Sequence, residues 1–444
     1  MRAVHGKRYV AVVASAATVA AGSLAILNLG SAGATTMTPA GTDTTGAATG
    51  TGSQVAVIAG NNRVLTAIAV SKAAFPQAGS AKAVVLAQDI QFPDALAGGP
   101  LATGLGGPLL LSDPNTIDPA TLAEIKRVLP AGGNVAVLGG TSAISASVAN
   151  AITGAGFVVT RVAGVNRFAT AVAIANVIKP KTVLVATGLN FPDALSAGPA
   201  AAVNHAAILL SNGSTQAAET SSYLSSNPTD TVYAVGGPAS TADPTATALV
   251  GADRFQTATM VASKFFPSST GSTGSTSTSS TSTTTGSTTT TTGSTSTGPK
   301  AIGLVAGNDF PDALSSVPLL GALDSPLILV NPTGPLPSYV SSYLTANPTI
   351  GAVIAFGGSS ALSSSVISEV TSLLGNGGGG GTTTTTGNGT TTTTTGGGGG
   401  LGGLSSITSI ISLLTGGLGG SSGGGITSLV GGLPISSLLN LTSL

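Results

Sequence analysis

The chain has 444 residues, no cysteine, and 15 basic against 15 acidic side chains. Without thiols it forms neither disulfides nor thiolate metal sites, so stability must come from packed Val, Ile, Leu and Ala. The balanced charge excludes the broad basic surface that nucleic acid or anionic lipid would need, so no nucleic-acid partner is expected.

Arg2, Lys7 and Arg8 precede an uncharged run from Tyr9 to Gly30, and Ala32-Gly33-Ala34 follows. This is the layout of a secretory signal over 1–34, with cleavage expected after Ala34. The run is also long enough to span a bilayer as an uncleaved anchor. Either way the remainder leaves the cytoplasm, and losing those three basic residues from the 15 leaves 12 against 15 acidic ones, a mildly acidic mature chain. Residues 35–53 are rich in Thr, Gly and Ala and read as a disordered leader, because they offer too little apolar side chain to offset ordering entropy.

From Gln54 the pattern becomes that of a folded domain. An apolar strand, Val55 to Ala59, runs into Gly60-Asn61-Asn62, and Arg63 to Phe75 reads as a helix stopped by Pro76. A strand over Ala83 to Ala87 follows, then a helix opening at Pro93 with Asp94 in its first turn, and a strand over Pro108 to Leu111. Asp118-Pro119 starts a helix reaching Leu129; Val135 to Leu138 leads into Gly139-Gly140, and a last helix covers Ser145 to Ile152. The reading is βαβαβαβα.

The same order recurs three times. Phe-Pro-Asp-Ala-Leu stands at Phe92 to Leu96, Phe191 to Leu195 and Phe310 to Leu314. Upstream of each lies Gly-x-(Asn/Asp)-Arg with a Thr three residues after the Arg: Arg63 and Thr66, Arg167 and Thr170, Arg254 and Thr257. Downstream come a short aliphatic strand and a strand ending in Gly-Gly, at Gly139-Gly140, Gly236-Gly237 and Gly357-Gly358. Recurrence at fixed order marks a repeated module, here of small-domain size. Continuous aliphatic strands separated by helices indicate a parallel sheet covered on both faces. The fold class is therefore α/β: three tandem doubly wound modules of Rossmann- or toprim-like type with parallel sheets, over 54–153, 154–246 and 247–374.

The third module carries a Ser/Thr-rich insert, 267–299, between its first helix and second strand; loop closure cost grows only slowly with length, so the fold is expected to survive it. A Gly/Thr-rich linker spans 375–400. The tail, 401–444, has no charge; it reads as poorly ordered, with self-association through its apolar residues as the other reading.

At the carboxyl edge of an open parallel sheet, loops form the binding edge, and the recurrent polar residues fall there. Arg63, Arg167 and Arg254 suit bidentate capture of a phosphate or carboxylate, or internal ion pairs with Asp94, Asp193 and Asp312. Those aspartates also suit amide capping in a helix's first turn. Asn62, Asn166 and Asp253 suit helix N-caps. The Gly-Gly pairs admit close backbone approach to a ligand ahead of a helix N-terminus, or are simply tight turns. No metal cluster, cofactor motif or nucleophile–base pair occurs, and His205 is the only histidine past the signal. No cofactor and no enzymatic activity are expected; a hydrolase using the acidic edge is the third reading, after a structural surface-layer protein assembled through the array and tail.

Gly164-Val165-Asn166-Arg167-Phe168-Ala169-Thr170-Ala171, Asn190 to Pro199, Ala207 to Ser211 and Val235-Gly236-Gly237 together resemble the bacterial cell wall-binding repeat 2 family, across about Val55 to Leu374. The resemblance implies three α/β modules around a pseudo-threefold axis in a secreted protein at the cell wall or surface. It implies noncovalent attachment to a cell-wall glycopolymer or peptidoglycan-linked anionic polymer. By position it gives the ligand-facing groups as Arg63, Arg167 and Arg254 beside the Gly-Gly turns, with Arg161 matching a further family arginine where the other modules have Val57 and Ala248.

Overall fold

The computed structural model describes residues 54–268, 298–375, 385–387 and 390–392. The expected signal and leader, all but the ends of the 267–299 insert, most of the linker and the whole tail lie outside the described residues. No helix among the described residues is long and apolar enough to cross a membrane.

In chain order the first stretch is β1 (Gln54–Ile58), α1 (Arg63–Ala74), β2 (Ala83–Gln88), α2 (Gly98–Gly104), β3 (Leu109–Ser112), α3 (Pro119–Val128), β4 (Asn134–Leu138) and α4 (Ala146–Gly154). The second is β5 (Val158–Val162), α5 (Arg167–Ile178), β6 (Thr182–Thr187), α6 (Pro192–Val203), β7 (Ala207–Ser211), α7 (Ala218–Ser226), β8 (Thr231–Val235) and α8 (Gly237–Ala242). The third is β9 (Thr247–Leu249), α9 (Arg254–Phe265), β10 (Ala301–Ala306), α10 (Pro311–Ala322), β11 (Leu327–Val330), α11 (Ser338–Ala346), β12 (Ala352–Phe356) and α12 (Ser364–Gly375). Within the 375–400 segment, β13 (Thr385–Gly387) and β14 (Thr390–Thr392) pair antiparallel.

The cap residues act as the sequence suggests: Asn62 and Asn166 each accept from the amide three residues on, at 2.9 Å, and Asp253 accepts from the amides of Phe255 and Gln256. The helix expected to open at Pro93 is delayed. In repeats two and three it begins at Pro192 and Pro311, whereas residues 93–97 form turns, with Ala95 and Leu96 amides both donating to the Phe92 carbonyl. Gly98-Gly99 stands where the later repeats have Ala197-Gly198 and Ser316-Val317, and each helical glycine costs about 1 kcal/mol relative to alanine.

Three four-stranded parallel sheets form, ordered β3-β2-β4-β5, β7-β6-β8-β9 and β11-β10-β12-β1. The parallel α/β architecture is that read from sequence; the strand membership differs. Each repeat's first strand pairs not with its own repeat but with the last strand of the preceding one: β5 joins β4, β9 joins β8, and β1 crosses the length of the chain to join β12, Gln54 opposite Ala352 and Ile58 opposite Phe356. Aliphatic runs specify a buried strand and not its partner, so this exchange is a property of the three repeats together.

Helices α2, α6 and α10 pack against one another around a pseudo-threefold axis. Gly99, Gly198 and Val317 occupy equivalent places there, and a Cβ on either glycine would approach Val317 to 2.6 Å. One turn on, Thr103, Ala202 and Gly321 repeat the arrangement with the small residue on the third helix. Interiors pack at crystal-like density, so one axial layer admits a single branched side chain.

Candidate functional site

The Phe-Pro-Asp-Ala-Leu phenylalanines close the axis at the carboxyl edge of the sheets. Phe92, Phe191 and Phe310 stand 5.5–5.7 Å apart by ring centroids, mostly edge-on, the favoured geometry for aromatic pairs. The carbonyl-edge loops of all three sheets therefore converge on one face.

On that face each arginine is held the same way. Arg63, Arg167 and Arg254 donate through Nη1 to the carbonyls of Asp89, Gly188 and Gly307, each at 2.6 Å, just past the second strand of their own repeat. Their charge faces the aspartate of the preceding repeat: Arg167 lies near Asp94, Arg254 near Asp193, and Arg63, across the ring closure, near Asp312. Arg63 also sits over the Phe310 ring at 5.5 Å and Arg254 over Phe191 at 6.0 Å, distances at which a guanidinium is attracted to the ring face. The ion pairs open to the sequence reading thus run between repeats, and none closes to contact distance among the described residues, where the direct pairs are Arg127 with Glu124 and Lys181 with Asp230.

The threonine three residues past each arginine accepts from a backbone amide, and in two repeats it also reaches a carboxylate. Thr66, Thr170 and Thr257 accept from the amides of Gly60, Gly164 and Gly251 at 3.1 Å. Thr170 also hydrogen-bonds Asp94, and Thr66 hydrogen-bonds Asp312. Burial pushes all three aspartates up, Asp193 to about 6, while the facing Thr or Arg pulls them partly back.

The Gly-Gly turns answer to the same carboxylates. Gly139, Gly236 and Gly357 have φ of 80°, 84° and 98°, and a Cβ on any of them would collide with Oδ2 of Asp94, Asp193 or Asp312 in the same repeat. Their amides donate to Val162, Leu249 and Ile58 of the exchanged strand. The first glycine's donor is thus already used, and α4 and α12 begin only at Ala146 and Ser364, several residues past Gly140 and Gly358. Only Gly237 opens a helix, a short one. The backbone anion site anticipated at these turns is therefore reduced to the second glycine of each pair.

Arg161, on β5, donates to the carbonyls of Gly139, Gly140 and Ile144 at 2.6, 3.1 and 2.8 Å. It braces the first Gly-Gly turn from behind. Asn166 spends its amide on Glu219 at 2.7 Å, and Asp253 accepts from the Tyr339 hydroxyl.

A cleft of about 300 Å³ opens where the first repeat meets the second. Gln88, Gln91, Asp94 and Gly140 line it from one side; Asn166, Arg167 and Thr170 from the other. Val165 stands at its rim, 96% exposed. The sequence-derived residues come together, but between repeats. The phenylalanines, the threonines, Gln88 and Gln91 join the site beyond the residues expected from sequence; recurrence at fixed positions is the signal for the first two sets, and none marks the glutamines. No group of His, Asp or Glu suited to a metal occurs among the described residues.

The family pattern described as "Cell wall binding domain 2 (CWB2)" matches residues 57–149, 161–245 and 248–367. The chain is 28% identical over 214 residues to the N-acetylmuramoyl-L-alanine amidase LytC of Bacillus subtilis, covering 47% of this chain and 42% of that one. It is 34% identical over 164 residues to the Amidase enhancer of the same organism, covering 36% and 22%. Two solved structures from Clostridium difficile share the fold: Cwp6, with a TM-score of 0.61 at 24% identity over 73% of this chain and 48% of that one, and Cwp8, with 0.59 at 22% over 72% and 52%. The chain spans under half the length of the curated relatives and about half that of the two structures.

Proposed function

Because the chain belongs to the cell wall binding domain 2 family, we propose that it is a secreted, noncatalytic surface protein that attaches noncovalently to a cell-envelope polymer, through the face on which its three repeats meet. The observation that carries this reading is the junction cleft, where Asp94 and Gly140 of one repeat face Asn166, Arg167 and Thr170 of the next. Its lining is polar, with amide, hydroxyl, carboxylate and guanidinium groups that hydrogen-bond a hydroxyl-rich chain. Each buried aspartate faces an arginine of the next repeat, with no histidine beside it among the described residues, which supports binding over turnover. An anionic polymer, with Arg63, Arg167 and Arg254 as its contacts, is the finer form of this proposal. Each guanidinium keeps donors beyond the one bonded to a carbonyl, and arginine presents five in all.

The test is cosedimentation of the purified full chain with isolated cell walls, intact and stripped of anionic polymers, across a salt series. Retention that falls on stripping and with salt is expected. Absence from intact walls would remove the proposal.

A further inference from the structure

The three junctions share one plan but not one charge. We infer that the junction between the first and second repeats is the principal recognition site, taking a sugar unit that carries a single oxyanion, while the other two junctions chiefly hold the ring together. This deepens the cell-wall reading and rests on it.

At the first junction Asp94 and Glu219, the latter half-buried and bonded to Asn166, are offset by Arg167 and Arg161. At the second junction Asp253 stands where the first has Asn166, so Asp193 and Asp253 face Arg254 alone. Ala248 replaces the supporting arginine there. At the third, Asp309 stands where the first has Gln91 and raises the neighbouring Asp312, while Asp89 lies beside Arg63; Val57 replaces the supporting arginine. An oxyanion thus meets a balanced site at the first junction and net negative charge at the other two. Like-charge juxtaposition in a partly desolvated cleft costs far more than at an open surface.

Bracing reinforces the asymmetry. Arg161 ties three carbonyls of the 139–144 loop, so the cleft wall carrying Gly140 and Ser142 is fixed before ligand arrives, and a preformed site loses less on binding. Gln88 and Gln91 supply neutral amides for sugar hydroxyls beside the uncharged Asn166, where the second junction has Thr187, Asn190 and Asp253 and the third Ala306, Asp309 and Asn62.

The deciding experiment measures retention of the full chain on isolated walls for Arg167→Gln, Arg254→Gln and Arg63→Gln separately, with unfolding midpoints as a check on folding. Arg167→Gln is expected to weaken retention about tenfold, the effect of one charge-assisted hydrogen bond, and the others distinctly less. Equal losses overturn the inference while leaving wall binding intact; failure of the unaltered chain to bind removes the parent reading instead. A gain-of-function variant avoids dependence on loss alone. Ala248 is exposed on β9, and Asn caps the equivalent helices at Asn62 and Asn166, so Ala248→Arg with Asp253→Asn gives the second junction the first one's complement without disturbing the fold. Stronger retention is expected; unchanged retention in a folded variant overturns the electrostatic basis. Sodium phosphate competing better than sodium acetate at equal ionic strength assigns the oxyanion to a phosphodiester, and the reverse to a carboxylate. Neither competing beyond sodium chloride removes the oxyanion.

Discussion

Val317 occupies the space that a side chain at Gly99 would need. A Cβ built on Gly99 would come within 2.6–2.8 Å of Val317 Cβ and both its methyls, and one on Gly198 would meet a Val317 methyl at 2.6 Å. Val317 is 4% exposed. The pseudo-threefold axis is therefore filled asymmetrically, and in this layer the asymmetry is encoded at one position of the repeat.

A second branched residue in that layer should overpack it. Gly198→Val is expected to destabilise by about 1–3 kcal/mol, and combining it with Val317→Gly, which restores the layer's volume, should recover part of the loss. Urea unfolding of the three variants checks this; a double variant no better than the sum of the single ones would show that the layer is not the constraint.

Gly236 combines φ of 84° with ψ of 156°, a region essentially reserved for glycine, and its missing side chain leaves room for the Asp193 carboxylate. Gly236→Ala should cost about 1–3 kcal/mol from backbone strain and more from collision with Asp193. Adding Asp193→Ala relieves the collision but not the strain, so the double variant should unfold at a midpoint between Gly236→Ala and the parent chain.

Asp193 titrates differently folded and unfolded. Burial raises it from 3.8 to about 6, with Arg254 opposing. Since the folded state holds the proton more tightly, this group's stabilising contribution is full below pH ~4 and is lost as pH rises through about 6. Asp193→Asn should remove that slope and leave the variant roughly 1–3 kcal/mol more stable than the parent at neutral pH. Unfolding midpoints between pH 4 and 7 measure it, and parallel slopes in the two proteins would contradict it.

How much of this was legible in sequence depends on the kind of information. Helix caps are local: Asn62, Asn166 and Asp253 bond amides two or three residues away, and the cap chemistry is written in the motif. Parallel strands follow from runs such as Leu109–Ser112, buried throughout. The delayed start of α2 needed the Gly98-Gly99 pair to be weighed against the shared Pro-Asp opening. The site residues were found because they recur, but their pairing was not readable. Asp94 and Arg167 are 73 positions apart, and nothing local tells an aspartate whether its arginine belongs to its own repeat or the next. Strand exchange decides that, since β5 carries the start of repeat two onto the sheet that ends in Gly139.

The ring closure makes a prediction that sequence boundaries would not. Strand β1 lies at the head of the first repeat, yet its backbone pairs with β12, and the Gly357 amide donates to the Ile58 carbonyl at 2.9 Å. Val55 and Ile58 are 7% and 4% exposed, and Val55 packs in the core of the third repeat with Ile302, Val353 and Val366. Starting the chain at Gly60 therefore removes a strand from the third sheet. The burial lost with those two side chains alone is on the order of 3–6 kcal/mol, and β12 gains an unpaired edge open to other chains. Hydrogen exchange should show protection falling in β12 and β10, which lie far along the chain from the deletion, while β2 and β3 keep theirs. Loss of protection confined to the first repeat would mean that β1 stabilises the repeat that encodes it, and the ring would not be closed by this strand.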